Sequence, residues 1–268
     1  MTMTAHHAPA PETQILLTGL ALGESPRWHD SRLWFANWLA QEIIAVDPAG
    51  NREVILHVPF AAIPYSIDWL PTGQLLLSSS SERPLLRQEP DGSLVDHAGA
   101  DLATLSPSFN ELVVDGRGNA YLNGADFSAL GEAGASAGVL VLVTPDGASR
   151  VVADGFAFPN GMAVTPDDGT LIVADSYGKH LLAFTIDPDG GLSGRRVWAD
   201  LGDGTPDGIC LDAEGCVWYA DVPNRRCVRV REGGAVLQTI DLDRGAFACM
   251  LGGDDGRTLF ILAAEWHG

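Results

Sequence analysis

Glu24, Asn110, Asn160 and Asp207 occupy the same place in four copies of an internal repeat, and each carries side-chain oxygen. Two carboxylates and two amides converging on one point form a sulfur-free site suited to a hard divalent cation. Glu24 and Asp207 supply two negative charges against such an ion, and Asn160 adds a neutral carbonyl oxygen. One cation is expected, with Ca²⁺ the best match; Mg²⁺ and Mn²⁺ are alternatives, and Zn²⁺ is a less natural one. Asn and Asp before Gly, as in Asn160-Gly161 and Asp207-Gly208, are also ordinary turn formers. Glu24 and Asn110 have no turn to close, so the four together read as a site.

The elements that must position these residues recur along the chain. Residues 23–51, 65–93, 110–124, 160–191 and 207–235 share one plan: a short apolar strand, a turn rich in Asp, Pro and Gly, a second apolar strand, a polar loop and a third strand. With Trp34, Leu76, Tyr121, Ile172, Trp218 and Phe260 as equivalent second-strand positions, successive spacings are 42, 45, 51, 46 and 42 residues. That period matches a four-stranded propeller blade. The spacing predicts an all-β, six-bladed β-propeller with a central channel, in one domain over 1–268. Residues 1–13 are expected to be disordered, and a strand over Gln14 to Thr18 to close the last blade. Counting back from the second strands places Glu24, Tyr65, Asn110, Asn160, Asp207 and Ala248 at one position facing the axis.

Composition removes several function classes. A formal net charge of -19, from 35 acidic and 16 basic residues, argues against nucleic acid or an anionic membrane as partner. Much of the acidity falls in Asp-Gly turns, as at Asp146-Gly147 and Asp254-Asp255-Gly256. The chain has no apolar run of membrane-spanning length and no secretory leader pattern at its start, so a cytoplasmic location is expected. Cys210, Cys216, Cys227 and Cys249 lack C-x-x-C spacing and read as buried free thiols, with a Cys210–Cys216 disulfide as the alternative. The seven histidines show no zinc-protease spacing, and neither a serine elbow, a Walker loop nor a dinucleotide fingerprint is present.

The segments LGESPRW (22–28), FPNGMAVTPDDGTLIVADS (158–176), PDGICLDAEGCVWYAD (206–221) and FACMLGGDDGRTLFIL (247–262) carry a resemblance over nearly the whole chain. It is to the family of senescence marker protein (regucalcin), gluconolactonase and luciferin-regenerating enzyme. The resemblance implies a six-bladed propeller with one axial divalent cation, and lactone hydrolysis in its best-known members. It places the family's metal ligands on Glu24, Asn160 and Asp207, and its substrate-contacting asparagine on Asn110. Sugar-lactonase members usually carry Arg where this chain has Ser108, and commonly Asp where it has Glu111. Loss of that guanidinium fork disfavours a polyhydroxylated ring.

Trp38, Tyr65, Phe109, Phe127 and Phe158 fall beside predicted strand ends on the axial side and suit a less polar substrate. The stretch 125–138 is the longest insertion and is read as a loop over the channel mouth. The expected activity is metal-dependent opening of a lactone or related ester. Asp207 is the catalytic base, and Asn110, Ser108, Tyr65, Phe109, Phe127 and Trp38 contact a small-molecule substrate. Alternatives are an organophosphate or aryl-ester hydrolase, a ring-opening or isomerising enzyme of specialised metabolism, and a non-enzymatic calcium-binding propeller.

Overall fold

The structure, a computed structural model, describes residues 13–59, 63–79, 82–99, 101–126 and 137–266. The apolar runs separated by turns form antiparallel sheets whose strands follow one another in sequence order. The first sheet runs through Gly23–His29, Arg32–Asn37, Glu42–Val46 and Arg52–His57. Four further four-stranded sheets begin with Tyr65–Trp69, Phe109–Val114, Pro159–Val164 and Pro206–Leu211. A sixth sheet has two strands, Gly245–Gly252 and Thr258–Ala264. The innermost strands of successive sheets touch, and that of the sixth touches that of the first, so the sheets close a ring. Among the described residues this is an all-β propeller with five four-stranded blades and a two-stranded sixth sheet.

The acidic turns have a structural use. Asp47 Oδ1 accepts from Ala49 N at 2.9 Å and Asp91 Oδ1 from Ser93 N at 2.9 Å, each a side chain closing its own hairpin. Gly118 and Gly147 adopt φ +85° at the ends of such turns, where a side chain would be strained.

The core lies between blades. Trp34, Ile43, Tyr65, Ile67 and Leu77 join the first to the second, and Leu140, Phe156, Met162 and Phe184 the third to the fourth. Cys210, Trp218, Cys227 and Cys249 join the fifth to the sixth, with all four cysteines free.

The N-terminal closing strand does not form. Residues 14–18 run as coil, and Leu16, Leu17 and Leu20 bury their side chains against Leu33, Phe35, Ala248 and Leu262. Their apolar character is satisfied by packing without a strand ladder. Of the tail over 1–13 expected to be disordered, residues 1–12 lie outside the described residues, as does most of the 125–138 insertion. Among the described residues no helix is long and apolar enough to cross a membrane.

Candidate active site

Each of the four oxygen-bearing residues sits at an irregularity in its inner strand. In the first blade Gly23 pairs with Asn37 and Glu24 with Ala36, yet Arg27 pairs with Trp34, leaving one extra residue on the inner strand. The same one-residue bulge separates Pro159 from Met162, Pro206 from Ile209, and the Phe109–Gly124 pair from the Leu122–Leu112 pair. Bulges bend a strand and re-aim its side chains. Asn160, Asp207 and Asn110 therefore lie within or beside a bulge, as Glu24 does.

The second blade has no bulge: Tyr65 pairs with Ser79 and Ser66 with Ser78 in regular register. Pairing thus makes Ser66 the equivalent of Glu24, one residue beyond the expected Tyr65. In the sixth sheet, where Gly245 pairs with Ala264, the equivalent is Ala246 in place of Ala248. A one-residue slip turns a strand side chain to the other face. Tyr65 accordingly belongs to the core between blades, its hydroxyl donating to Asn37 O at 2.9 Å. Phe109 is likewise buried between the second and third blades.

A second repeated device holds the chain entering each of three site residues. Asn37, Asp175 and Asp221 end the second strands of their blades and are buried. Asn37 Oδ1 accepts from Ala21 N at 2.9 Å and Leu22 N at 3.2 Å, just before Glu24. Asp175 accepts from Ala157 N at 3.0 Å and Phe158 N at 2.8 Å, just before Asn160. Asp221 Oδ1 accepts from Thr205 N at 3.3 Å, just before Asp207. In the third blade the corresponding residue is Gly124, where a Cβ would sit 2.3 Å from Ser108 O; Ser106 Oγ donates to that carbonyl at 2.7 Å.

These residues open onto a cavity of about 500 Å³. Glu24, Asn110, Asn160 and Asp207 line it together with Trp38, Phe158, Ser176, Tyr177, Lys179 and Phe247. Asn110 Nδ2 donates to Asn160 Oδ1 at 3.2 Å, and Asn160 Nδ2 to Ser176 Oγ at 3.3 Å. Asn160 also hydrogen-bonds the Asp207 carboxylate. Beneath them Arg27 pairs with Glu111 at 3.3 Å and with Asp68 at 3.6 Å, and donates to Leu112 O, tying the inner strands of the first three blades.

Burial, followed by repulsion from Asp207 and Glu111, pushes the Glu24 carboxyl well above its usual range. Burial and then Glu111 push Asp207 up as well, against the Asn160 hydrogen bond. Arg27 is paired with Asp68 and Glu111, and no basic group offsets Glu24 or Asp207 among the described residues. Among the described residues no three His, Cys, Asp or Glu side chains gather as a metal site. The donors here are of another kind: two carboxylates starved of countercharge and an Asn160 Oδ1 with one lone pair still open. They fit a hard divalent cation.

Of the residues expected at the site, Glu24, Trp38, Asn110, Asn160 and Asp207 line the cavity, as does Phe158. Ser108 does not line it and bonds through its carbonyl, which accepts from Ala125 N at 3.2 Å. Phe127 lies outside the described residues. Sequence reasoning missed Ser176, Tyr177, Lys179, Val222, Pro223, Phe247 and Trp266. A signal existed for the first five. The turns 38–41, 176–179 and 222–225 all follow a second strand and end in a left-handed residue, Gln41, Lys179 or Arg225. Trp38 marks the position that Ser176 and Val222 hold in their own blades.

The sequence matches the SMP-30/Gluconolactonase/LRE-like region over residues 22–265. It is 29% identical over 132 residues to 6-deoxy-6-sulfogluconolactonase of Pseudomonas putida, covering 48% of this chain and 45% of that enzyme, so less than half of that relative is spanned. It is 28% identical over 255 residues to regucalcin of Xenopus laevis, covering 91% of this chain and 83% of that one. The calcium-binding regucalcin of Agrobacterium tumefaciens superposes with a TM-score of 0.78 at 22% identity, over 94% of this chain and 85% of that one, a likeness of fold.

Proposed function

The chain belongs to the SMP-30/gluconolactonase/LRE-like family, and from that premise we propose that it opens a lactone or a related ester by hydrolysis in the cavity on the propeller axis. The observation that carries this reading is the convergence of Glu24, Asn110, Asn160 and Asp207 on one cavity, each at a strand bulge. Counting the two-stranded sheet, the propeller is six-bladed, and the whole acts as one cytoplasmic domain. Glu24, Asn160 and Asp207 would hold one divalent cation, Ca²⁺ by the hardness and charge of the donors. Such a cation would supply Lewis-acid stabilisation of developing negative charge.

The chain's own groups do the rest. Asn110 Nδ2 uses one hydrogen on Asn160 and keeps the other for the substrate's carbonyl oxygen. Asp207 accepts a proton from the attacking water as the new C–O bond forms, then returns it to the ring oxygen as the old C–O bond breaks. The product is a hydroxy acid. Trp38, Phe158, Tyr177, Phe247 and Trp266 surround the substrate with aromatic surface, and Ser108 offers no guanidinium fork for sugar hydroxyls, so an aryl or aliphatic lactone is favoured over gluconolactone.

The test is a panel of gluconolactone, dihydrocoumarin, medium-chain γ-lactones, aryl esters and phosphotriesters, each with cation and with chelator. Cation-dependent turnover of dihydrocoumarin or a γ-lactone above gluconolactone is expected. Tenfold or greater preference for gluconolactone overturns the substrate reading, and activity only on phosphotriesters overturns the reaction.

A further inference from the structure

Three turns of one design stand at the cavity mouth, and their last residues differ. Gln41, Lys179 and Arg225 share a left-handed backbone at φ +57°, +56° and +53°. Each accepts a backbone hydrogen bond through its carbonyl: from Val58 N at 2.9 Å, Leu201 N at 3.0 Å and Leu242 N at 2.8 Å. The left-handed conformation therefore belongs to the fold, and only the side chain distinguishes them. Of the three, Lys179 alone lines the cavity, and it is the one basic side chain doing so among the described residues. Arg225 lies instead toward Asp243.

Lys179 has no ion pair among the described residues to occupy it. The nearby Asp203 carboxylate is held by Arg226 at 2.9 Å. Elsewhere the cavity wall carries no positive charge: aromatic, amide, hydroxyl and aliphatic side chains surround the carboxylates of Glu24 and Asp207. Once a divalent cation offsets those two carboxylates, the lining retains one unmatched positive charge, on Lys179. A chain of formal charge -19 repels anions from afar, so a cation at the mouth acts on an anion only at contact range. A lysine ammonium is a point charge and asks for no fork geometry from its partner.

We propose that Lys179 recognises a carboxylate borne by the substrate, so that the substrate class is an aryl or alicyclic lactone with one anionic substituent outside the ring that opens. This rests on the lactonase reading for the identity of the reacting group, but the anion recognition stands on the cavity itself. The charge that sugar-lactonase members would place at Ser108 is supplied here from another blade.

The test uses two matched pairs on the cation-loaded, full-length protein: dihydrocoumarin with a ring-carboxylated dihydrocoumarin, and the corresponding lactams, which resist hydrolysis. Binding of the lactams is measured by calorimetry in wild type, Lys179→Met and Arg225→Met. The wild type is expected to bind the carboxylated lactam about tenfold tighter than the neutral one. Lys179→Met brings that ratio close to one, and Arg225→Met, which removes an equal charge from the equivalent turn, keeps it. The kcat/KM ratios of the lactone pair follow the same pattern. A wild type without the preference, or a preference that survives in Lys179→Met, overturns the inference. Lactam ratios as expected with no lactone opened sink the hydrolase reading and leave anion recognition standing; lactone turnover with a ratio indifferent to Lys179 does the reverse.

Discussion

Glu24, Asn110 and Asn160 at the floor of the cavity are buried on strands, whereas Tyr177, Lys179 and Trp266 at its rim are exposed and stand outside them. The floor is braced twice, by bulges that aim its side chains and by Asn37, Asp175 and Asp221 holding the chain that enters it. The rim is braced by turn backbone and by ring contacts, as between Tyr177 and Phe158, and its side chains change from blade to blade. On the proposed function, such a division would let the rim alter what is bound without disturbing the groups assigned to the chemistry.

The comparison breaks first at Asp207. Asp207→Asn should lower turnover by about 10⁴-fold with little change in thermal unfolding, because the amide keeps an oxygen but cannot accept a proton. Glu24→Gln should recover as cation concentration is raised, and equal recovery of Asp207→Asn would reduce Asp207 to a ligand.

Beneath the floor, Arg27→Met leaves Glu111 and Asp68 buried without a counterion and should cost about 3–5 kcal/mol in denaturant unfolding. Adding Glu111→Gln should return part of that loss, and full independence of the two changes would show that the ion cluster is not a unit.

Asp175→Ala orphans the backbone N–H groups of Ala157 and Phe158 and should cost about 1–3 kcal/mol together with a fall in kcat. Asp175→Asn should recover most of both, since Asn37 already serves two N–H groups through a single oxygen. A kcat insensitive to either change would separate the clamp from the chemistry.

Glu24 and Asp207 also tie stability to pH. Their folded pKa values lie above the unfolded ones, so the native state binds the extra protons. In chelator this contribution is whole below the unfolded carboxylate range, about pH 4, and is lost as pH rises through the raised folded values. Tm measured in chelator should therefore fall relative to Tm with cation as pH increases, and parallel curves would show that no cation sits between the two carboxylates.

The smallest effect belongs to the rim. Trp266→Ala should raise KM for an aryl lactone about fivefold and change kcat far less. A larger drop in kcat than in affinity would mean that the rim takes part in more than selection.

Most of the floor was legible because a repeat states each position several times over. Asn160 and Asp207 could be matched through their neighbours, and Glu24 through its distance from Trp34. Legibility failed where the repeat changes its backbone. The second blade lacks the bulge, so the count back from the second strand that lands correctly on Asn110 and Asp207 lands on Tyr65 where Ser66 belongs. The rim carried a weaker signal, since a turn of four residues has no periodicity to average over, and Lys179 resembles its equivalents only in φ. Leu16 and Leu17 read as a strand because apolar residues near a free sheet edge suit one, and burial against Leu33 and Leu262 satisfies them equally as coil.

The two-stranded sheet gives the ring a seam. Thr258–Ala264 is hydrogen-bonded on one side only among the described residues, so the free energy of local opening should be lowest there. Phe247 sits on the partner strand and meets Trp266 edge to face at 6.0 Å, so this pair of cavity-wall aromatics belongs to the two-stranded sheet and the segment that follows it. The neighbouring inner strand carries Asp207, with Gly208 packed so closely that an added Cβ would meet Ala248 at 2.5 Å. A sector that opens at the seam would adjoin Asp207, and on the proposed reaction it would give the hydroxy acid an exit that leaves the braced strands of the first and fourth blades undisturbed.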